Sequence, residues 1–373
     1  MVKTRTLLGV LLPLAAAAAL CGCSARGRLV SVRPESLQLS AGTTGAVLSL
    51  AADASALYAV FADRATAGLD LVTIPAAPHL PGSAPPPELI DKVDTAAPLS
   101  TSFGEHVLAA GGGRIAVLYL DRKMDAHSVL KLASRGAAGA AQWDLDVLEP
   151  AGDPLALASD GGGRFAAAWT SGLLSYRLPG GQAAPPAPPI PLQVEGKPGS
   201  DGQGGFTAYD RLASVLLWFG WNGSGFTVKP VPEGGTVSAC LRSPGGRLAV
   251  ASYNPRQRRL FLHQEAPGAS AFSSQTVTVC DGTTGVALLP GPSDSSFVFV
   301  YDETRTISAG RTAYQLSVIA PGFLLGALGS RYRKAVLTEG DLRIDGFAAA
   351  RTPDALYVLL SQGGLRILRI PLG

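Results

Sequence analysis

The chain has few of the residues on which most catalytic and nucleic-acid-binding sites depend. Only 16% of its 373 residues are charged, and 31 Lys+Arg against 28 Asp+Glu leave a formal charge of +3. No basic run is long enough to follow a phosphate backbone, which excludes nucleic acid as a partner class. The four histidines, His79, His106, His127 and His263, stand in unrelated positions. With no Gly-x-Ser-x-Gly elbow and no His-Glu-x-x-His motif, none of them acquires the role of base or metal ligand. Asp201-Gly202-Gln203-Gly204 lacks the further acids of a calcium loop. The glycine clusters at 111–113 and 161–163 join strand to strand, so no helix start follows them to cradle a phosphate. These absences point away from an enzyme and leave no cofactor to expect. Helical spacing of apolar residues is missing as well: beyond residue 27 no segment keeps it for three turns.

What the chain has in quantity is glycine and proline, 45 and 28 residues, in a composition that is 47% hydrophobic. That combination describes a turn-rich globular protein rather than a disordered one. Short alternating runs are punctuated by Gly, Pro, Asp and Asn, the pattern of an all-β chain. A longer period overlies them. In Val107–Tyr119, Leu155–Trp169 and Val237–Ala251 an apolar strand runs into a Gly-rich turn and then into a second strand. Looser copies are Val47–Phe61, Phe206–Trp221, Val286–Tyr301 and Phe347–Leu360, which makes seven. A third strand commonly follows, as in Leu69–Ile74 and Tyr314–Ile319, and then a more polar fourth, as in Glu88–Val93, Pro189–Glu195 and Gln275–Cys280.

Four strands in about 50 residues is the period of a propeller blade, and by that period and its turn placement the chain resembles the β-propeller proteins. It carries neither the blade-ending Trp-Asp pair of WD-like propellers nor the Gln-Trp-rich signature of quinoprotein-like ones. Ser159–Gly163 resembles the Asp box of sialidase-type propellers without its Thr-Trp, and reads more simply as a β-turn. The resemblance implies an all-β fold of seven four-stranded blades over residues 28–373. The seventh copy has only three strands before Gly373, and Arg28–Leu39 is expected to supply its outer strand. The fourth copy, 204–232, is short, so six or eight blades remain open. So does a pair of β-sandwiches divided near the Pro-rich stretch 183–191.

At the N-terminus Lys3 and Arg5 precede an apolar stretch, Leu7–Leu20, too short to span a bilayer comfortably. The following Leu20-Cys21-Gly22-Cys23 resembles the lipobox of bacterial lipoproteins. Cys23 fits better than Cys21, because small Gly22 rather than bulky Leu20 then precedes the cut. The resemblance implies a signal peptide over 1–22, a tether over 23–27, and acyl chains on Cys23 that bind the lipid bilayer without a transmembrane helix. Ser24 in place of Asp implies sorting to the outer membrane, facing the periplasm. In that oxidising compartment Cys240 and Cys280 can pair as a disulfide, or remain two buried thiols.

Trp218, Phe219 and Trp221 share one strand, with Trp218 pointing to one face and the other two to the opposite face. They are either packed between blades or form an exposed partner-binding patch. The expected function is a membrane-anchored, non-catalytic scaffold for a protein or glycan of the cell envelope. The alternative is a propeller hydrolase or lactonase with a metal in the central channel.

Overall fold

Successive side chains of the second strand of each blade enter two different buried layers, which is why these strands are the most continuously apolar. In the strand Ala56–Asp63, Leu57, Ala59 and Phe61 enter one layer while Tyr58 and Val60 enter the next. A sheet buried on both faces must be stacked on both sides, and here sheets stack around a ring. In this computed structural model the described residues are 30–372, except 41–43, 64–66, 93–102, 123–127, 137–141, 182, 185, 187, 222–225, 244, 266–270, 309–310 and 326–331.

Among them are twenty-nine strands, β1 to β29 in chain order, grouped in seven antiparallel sheets. These are the blades: 44–92, 103–148, 153–192, 194–231, 237–279, 286–340, and 346–371 completed by β1. The fold is a seven-bladed β-propeller, and the sandwich alternative is excluded. Within each blade the first strand is innermost, and the innermost strands touch their neighbours all the way round, blade 7 meeting blade 1. Seven apolar layers fill the seven gaps between blades. Each large side chain fully buried in them contributes about 1.5–3 kcal/mol. No helix among the described residues is long and apolar enough to cross a membrane.

The ring closes with the strand expected from the N-terminus. β1 (Glu35–Ser40) pairs with β29 (Leu365–Pro371), placing Glu35 opposite Arg369 and Leu37 opposite Ile367. Glu35 ties three parts together: it bonds Arg369 at 3.0 Å and His79 at 3.0 Å, and accepts the Leu80 amide at 2.9 Å. The Leu80 amide, with His79 and Arg369, holds the Glu35 carboxyl below the usual range. Ahead of β1, Val30 makes a single parallel bridge to Ala335 in blade 6.

Two expectations about blades 3 and 4 need correction. Pro189–Glu195 is not an outer strand of blade 3; only Pro191–Leu192 pairs there, beside an equally short Ala183–Ala184. Blade 4 is complete, because β15 (Val194–Ser200) is its innermost strand. The sequence hides that strand because Gly196-Lys197-Pro198-Gly199 breaks the alternation. Its register against the next strand slips between Glu195 and Gly199.

Two faces follow from the connectivity. The upper face carries the connections between blades and those between second and third strands; the lower face carries the remaining turns.

Candidate binding groove

Two of the histidines, His106 and His263, are buried and hydrogen-bonded on both ring nitrogens. His106 is buried in the innermost strand of blade 2, with Nδ1 2.9 Å from Ser49 Oγ and Nε2 3.2 Å from the Val47 carbonyl. Burial, and then the Lys197 charge, push its pKa down to about 3. His263 is buried between Ser252 and Ser274, each 2.8 Å away, and burial lowers it to about 4. Both are neutral struts with each ring nitrogen satisfied. His79 is exposed against Glu35, and His127 lies outside the described residues. Among those residues no group of three His, Cys, Asp or Glu is placed to hold a metal.

The β15 bulge has a consequence for the channel. Gly196 adopts φ +81° with its missing Cβ only 2.3 Å from the Thr236 carbonyl, so glycine alone fits there. The next residue, Lys197, reaches from blade 4 to the Leu48 carbonyl of blade 1, 3.3 Å away. Blades 4 and 1 lie on opposite sides of the ring, so the side chain crosses the channel. A fixed ammonium there opposes a divalent cation by direct repulsion.

A groove of about 520 Å³ opens instead on the upper face, above blade 3. Its origin is a difference in turn length. Blade 3 turns from its second to its third strand through the single residue Ser171, whereas blade 4 uses residues 211–214. The short turn is tied down by Thr170, whose Oγ1 donates to the Leu192 carbonyl at 2.8 Å and accepts the Gly172 amide at 3.1 Å. Gly152 lets the chain pass beneath, since a Cβ would meet the Thr170 carbonyl at 2.3 Å. On the blade 4 side, buried Asp210 accepts the Leu212 and Gln193 amides at 3.2 and 3.4 Å and holds the taller turn upright.

Two polar side chains of the groove lining are uncommitted. Arg211 is exposed, and its guanidinium has no partner among the described residues; neither has the Gln193 side-chain amide. Leu212 follows Arg211 in the turn and Leu173 follows Gly172 in blade 3; they are 66% and 46% exposed. A guanidinium left free at a groove, with an exposed leucine next to it in the chain, can receive a carboxylate that has an apolar neighbour. Sequence reasoning missed Arg211, Gln193 and Lys197. The one local signal was a leucine beside an arginine in a polar hairpin, Asp210-Arg211-Leu212.

The residues singled out from sequence fare unevenly. Trp218 and Phe219 are 5% and 0% exposed and point into opposite layers, so they pack between blades and are not a patch. Trp221 is half-buried at the lower face, with its ring centroid 4.7 Å from that of Tyr176. Cys240 and Cys280 are free thiols in different layers, which corrects the candidate disulfide. Cys240 Sγ donates to the Gly199 carbonyl at 3.1 Å, and Cys280 Sγ lies 3.2 Å from Thr283 Oγ1. Burial pushes Cys280 up to about 11 and raises Cys240 well above the usual thiol range, so both stay protonated and inert. Cys23 lies outside the described residues.

The class these features define is a closed propeller whose candidate site is a surface groove rather than a chelating channel. No family model matches the chain, and no curated protein matches it. Solved propellers do. A catalytically inactive virginiamycin B lyase from Staphylococcus aureus, solved with quinupristin, superposes with a TM-score of 0.56 at 8% identity, covering 92% of this chain and 100% of that one. YCF48 bound to D1 peptide gives 0.55 at 13% identity, over 92% and 99%. The phage phi92 endosialidase gives 0.51 at 10%, over 92% and 70%. These likenesses establish the fold. They include enzymes and a peptide-bound protein, so they assign no activity.

Proposed function

We propose that this protein is a non-catalytic scaffold, held to an envelope membrane by acylated Cys23, that receives an extended carboxylate-bearing segment of a partner protein in the upper groove. The observation that carries this reading is the Arg211 guanidinium, which lines the groove without a partner among the described residues and is followed in its turn by exposed Leu212. Two others support it. Lys197 makes the channel a poor seat for the metal that the hydrolase alternative requires. A protein of the same fold, YCF48, is described as bound to a peptide.

The anchor would also orient the groove. β1 enters blade 7 from the lower face, and Val30 bridges blade 6 near that face. The chain between Cys23 and Val30 spans at most about 25 Å when extended. The lower face is therefore kept near the bilayer and the groove is turned away from it.

The test is selection of random peptides on the purified protein, repeated on Arg211→Glu. The expected consensus joins an acidic residue to apolar neighbours, and Arg211→Glu weakens binding of the selected peptides about tenfold or more. A consensus without an acid, or binding indifferent to Arg211→Glu, would refute the groove; metal-dependent ester or lactone hydrolysis would refute the scaffold.

A further inference from the structure

A second cavity, of about 290 Å³, opens on the lower face between blades 3 and 4. It exists because blade 3 is built from alanine where other blades carry larger residues. Ala156, Ala158 and Ala166–Ala168 form its floor, whereas the equivalent second strand of blade 6 reads Val298-Phe299-Val300. Tyr176, Trp221 and Phe226 line it, all half-buried. The three rings pack on one another, with centroids 4.7–5.5 Å apart, and form a single aromatic wall of the cavity.

The rim has charges, but they are already spent on one another. Asp160 is paired with Arg164 at 2.9 Å and accepts the Gly162 and Arg164 amides. Arg177 is paired with Asp146 at 2.9 Å and donates to the Gly181 carbonyl. The groups left without a protein partner among the described residues include two donors, the Trp221 indole N–H and the Tyr176 hydroxyl. A ligand suited to this slot is uncharged, has rings or bulky apolar groups, and offers acceptors without needing donors in return.

A proline-rich segment in polyproline II conformation meets all three conditions. Its pyrrolidine rings can pack between the aromatic wall and the alanine floor, its carbonyls accept from Trp and Tyr, and proline has no N–H to satisfy. We propose that the cleft between blades 3 and 4 is a second binding site, for a proline-rich peptide. It is independent of the upper groove: it lies on the opposite face and shares no residue with it.

The experiment is fluorescence anisotropy of the full-length protein with a labelled (Ala-Pro-Pro)₄ peptide, with an equal-length Ala-Ser peptide and the neutral disaccharide chitobiose as competitors. The proline peptide is expected to bind and neither competitor to displace it. Trp221→Phe keeps a ring and removes the donor, and is expected to weaken binding about tenfold. Ala166→Leu fills the slot while leaving all three rings, and is expected to abolish binding; a thermal melt confirms that each variant is folded. Arg211→Glu is expected to leave this affinity unchanged, which separates failure of this site from failure of the groove. No binding by the wild type, displacement by chitobiose, or affinity unmoved by Ala166→Leu would each overturn the proposal.

Discussion

Asp70 is a carboxylate placed where the fold can least afford one. It sits in the third strand of blade 1 between Leu69 and Leu71, opposite Phe61, and is 5% exposed. Burial, reinforced by the Asp63 charge, raises its pKa from 3.8 to about 6. The folded state therefore binds this proton more tightly than the unfolded state does. Below pH 3.8 the group is protonated in both states and costs nothing. As pH rises from there through about 6 the unfolded chain ionises first, and stability falls. Above pH 6 the loss is complete, and the displacement from 3.8 to about 6 corresponds to about 3 kcal/mol. Asp70→Asn keeps the shape and removes the charge. It is expected to raise the apparent melting temperature by several degrees at pH 7.5, and to leave it unchanged or slightly lower at pH 4. Scanning calorimetry at the two pH values measures this directly. An equal gain at both, or no gain at pH 7.5, would show that the carboxylate is not the source of the strain.

Removal of residues 30–40 is expected to leave the outer edge of β29 bare and buried Arg369 without its partner Glu35, so that the ring opens and the protein aggregates. Size-exclusion chromatography would show loss of the monodisperse peak, and an unchanged peak would contradict closure by β1. Cys240 and Cys280 are expected to resist a thiol-alkylating reagent in the native protein and to react fully after unfolding without reductant. Peptide mass mapping distinguishes this from a disulfide, which would leave both unlabelled until reduced.

The propeller was legible because its main signals are local. Glycine turns and two-residue alternation repeat along the chain, and counting them gave seven units and an N-terminal closing strand. Blade 4 was misphased because the Gly-Lys-Pro-Gly bulge reads as a loop, although ring packing holds it as an inner strand. The aromatic strand 215–221 was read with the correct alternation of faces, but alternation cannot say which face a neighbouring blade will cover.

Sequence alone determined the all-β class, the period of about 50 residues and the residue types available for chemistry, since these depend on neighbours within a few positions; the count of seven blades and the exclusion of two sandwiches came from the structure. Only the tertiary structure decided which of those residues remain free. Arg211 and Arg177 look alike in the chain, yet among the described residues one finds no carboxylate and the other lies 2.9 Å from Asp146 on the neighbouring blade. The same holds for the thiols, the channel-crossing Lys197 and the alanine-floored cleft. Pairing, burial and cavities arise where blades distant in sequence meet, and that meeting is set by closure of the whole ring.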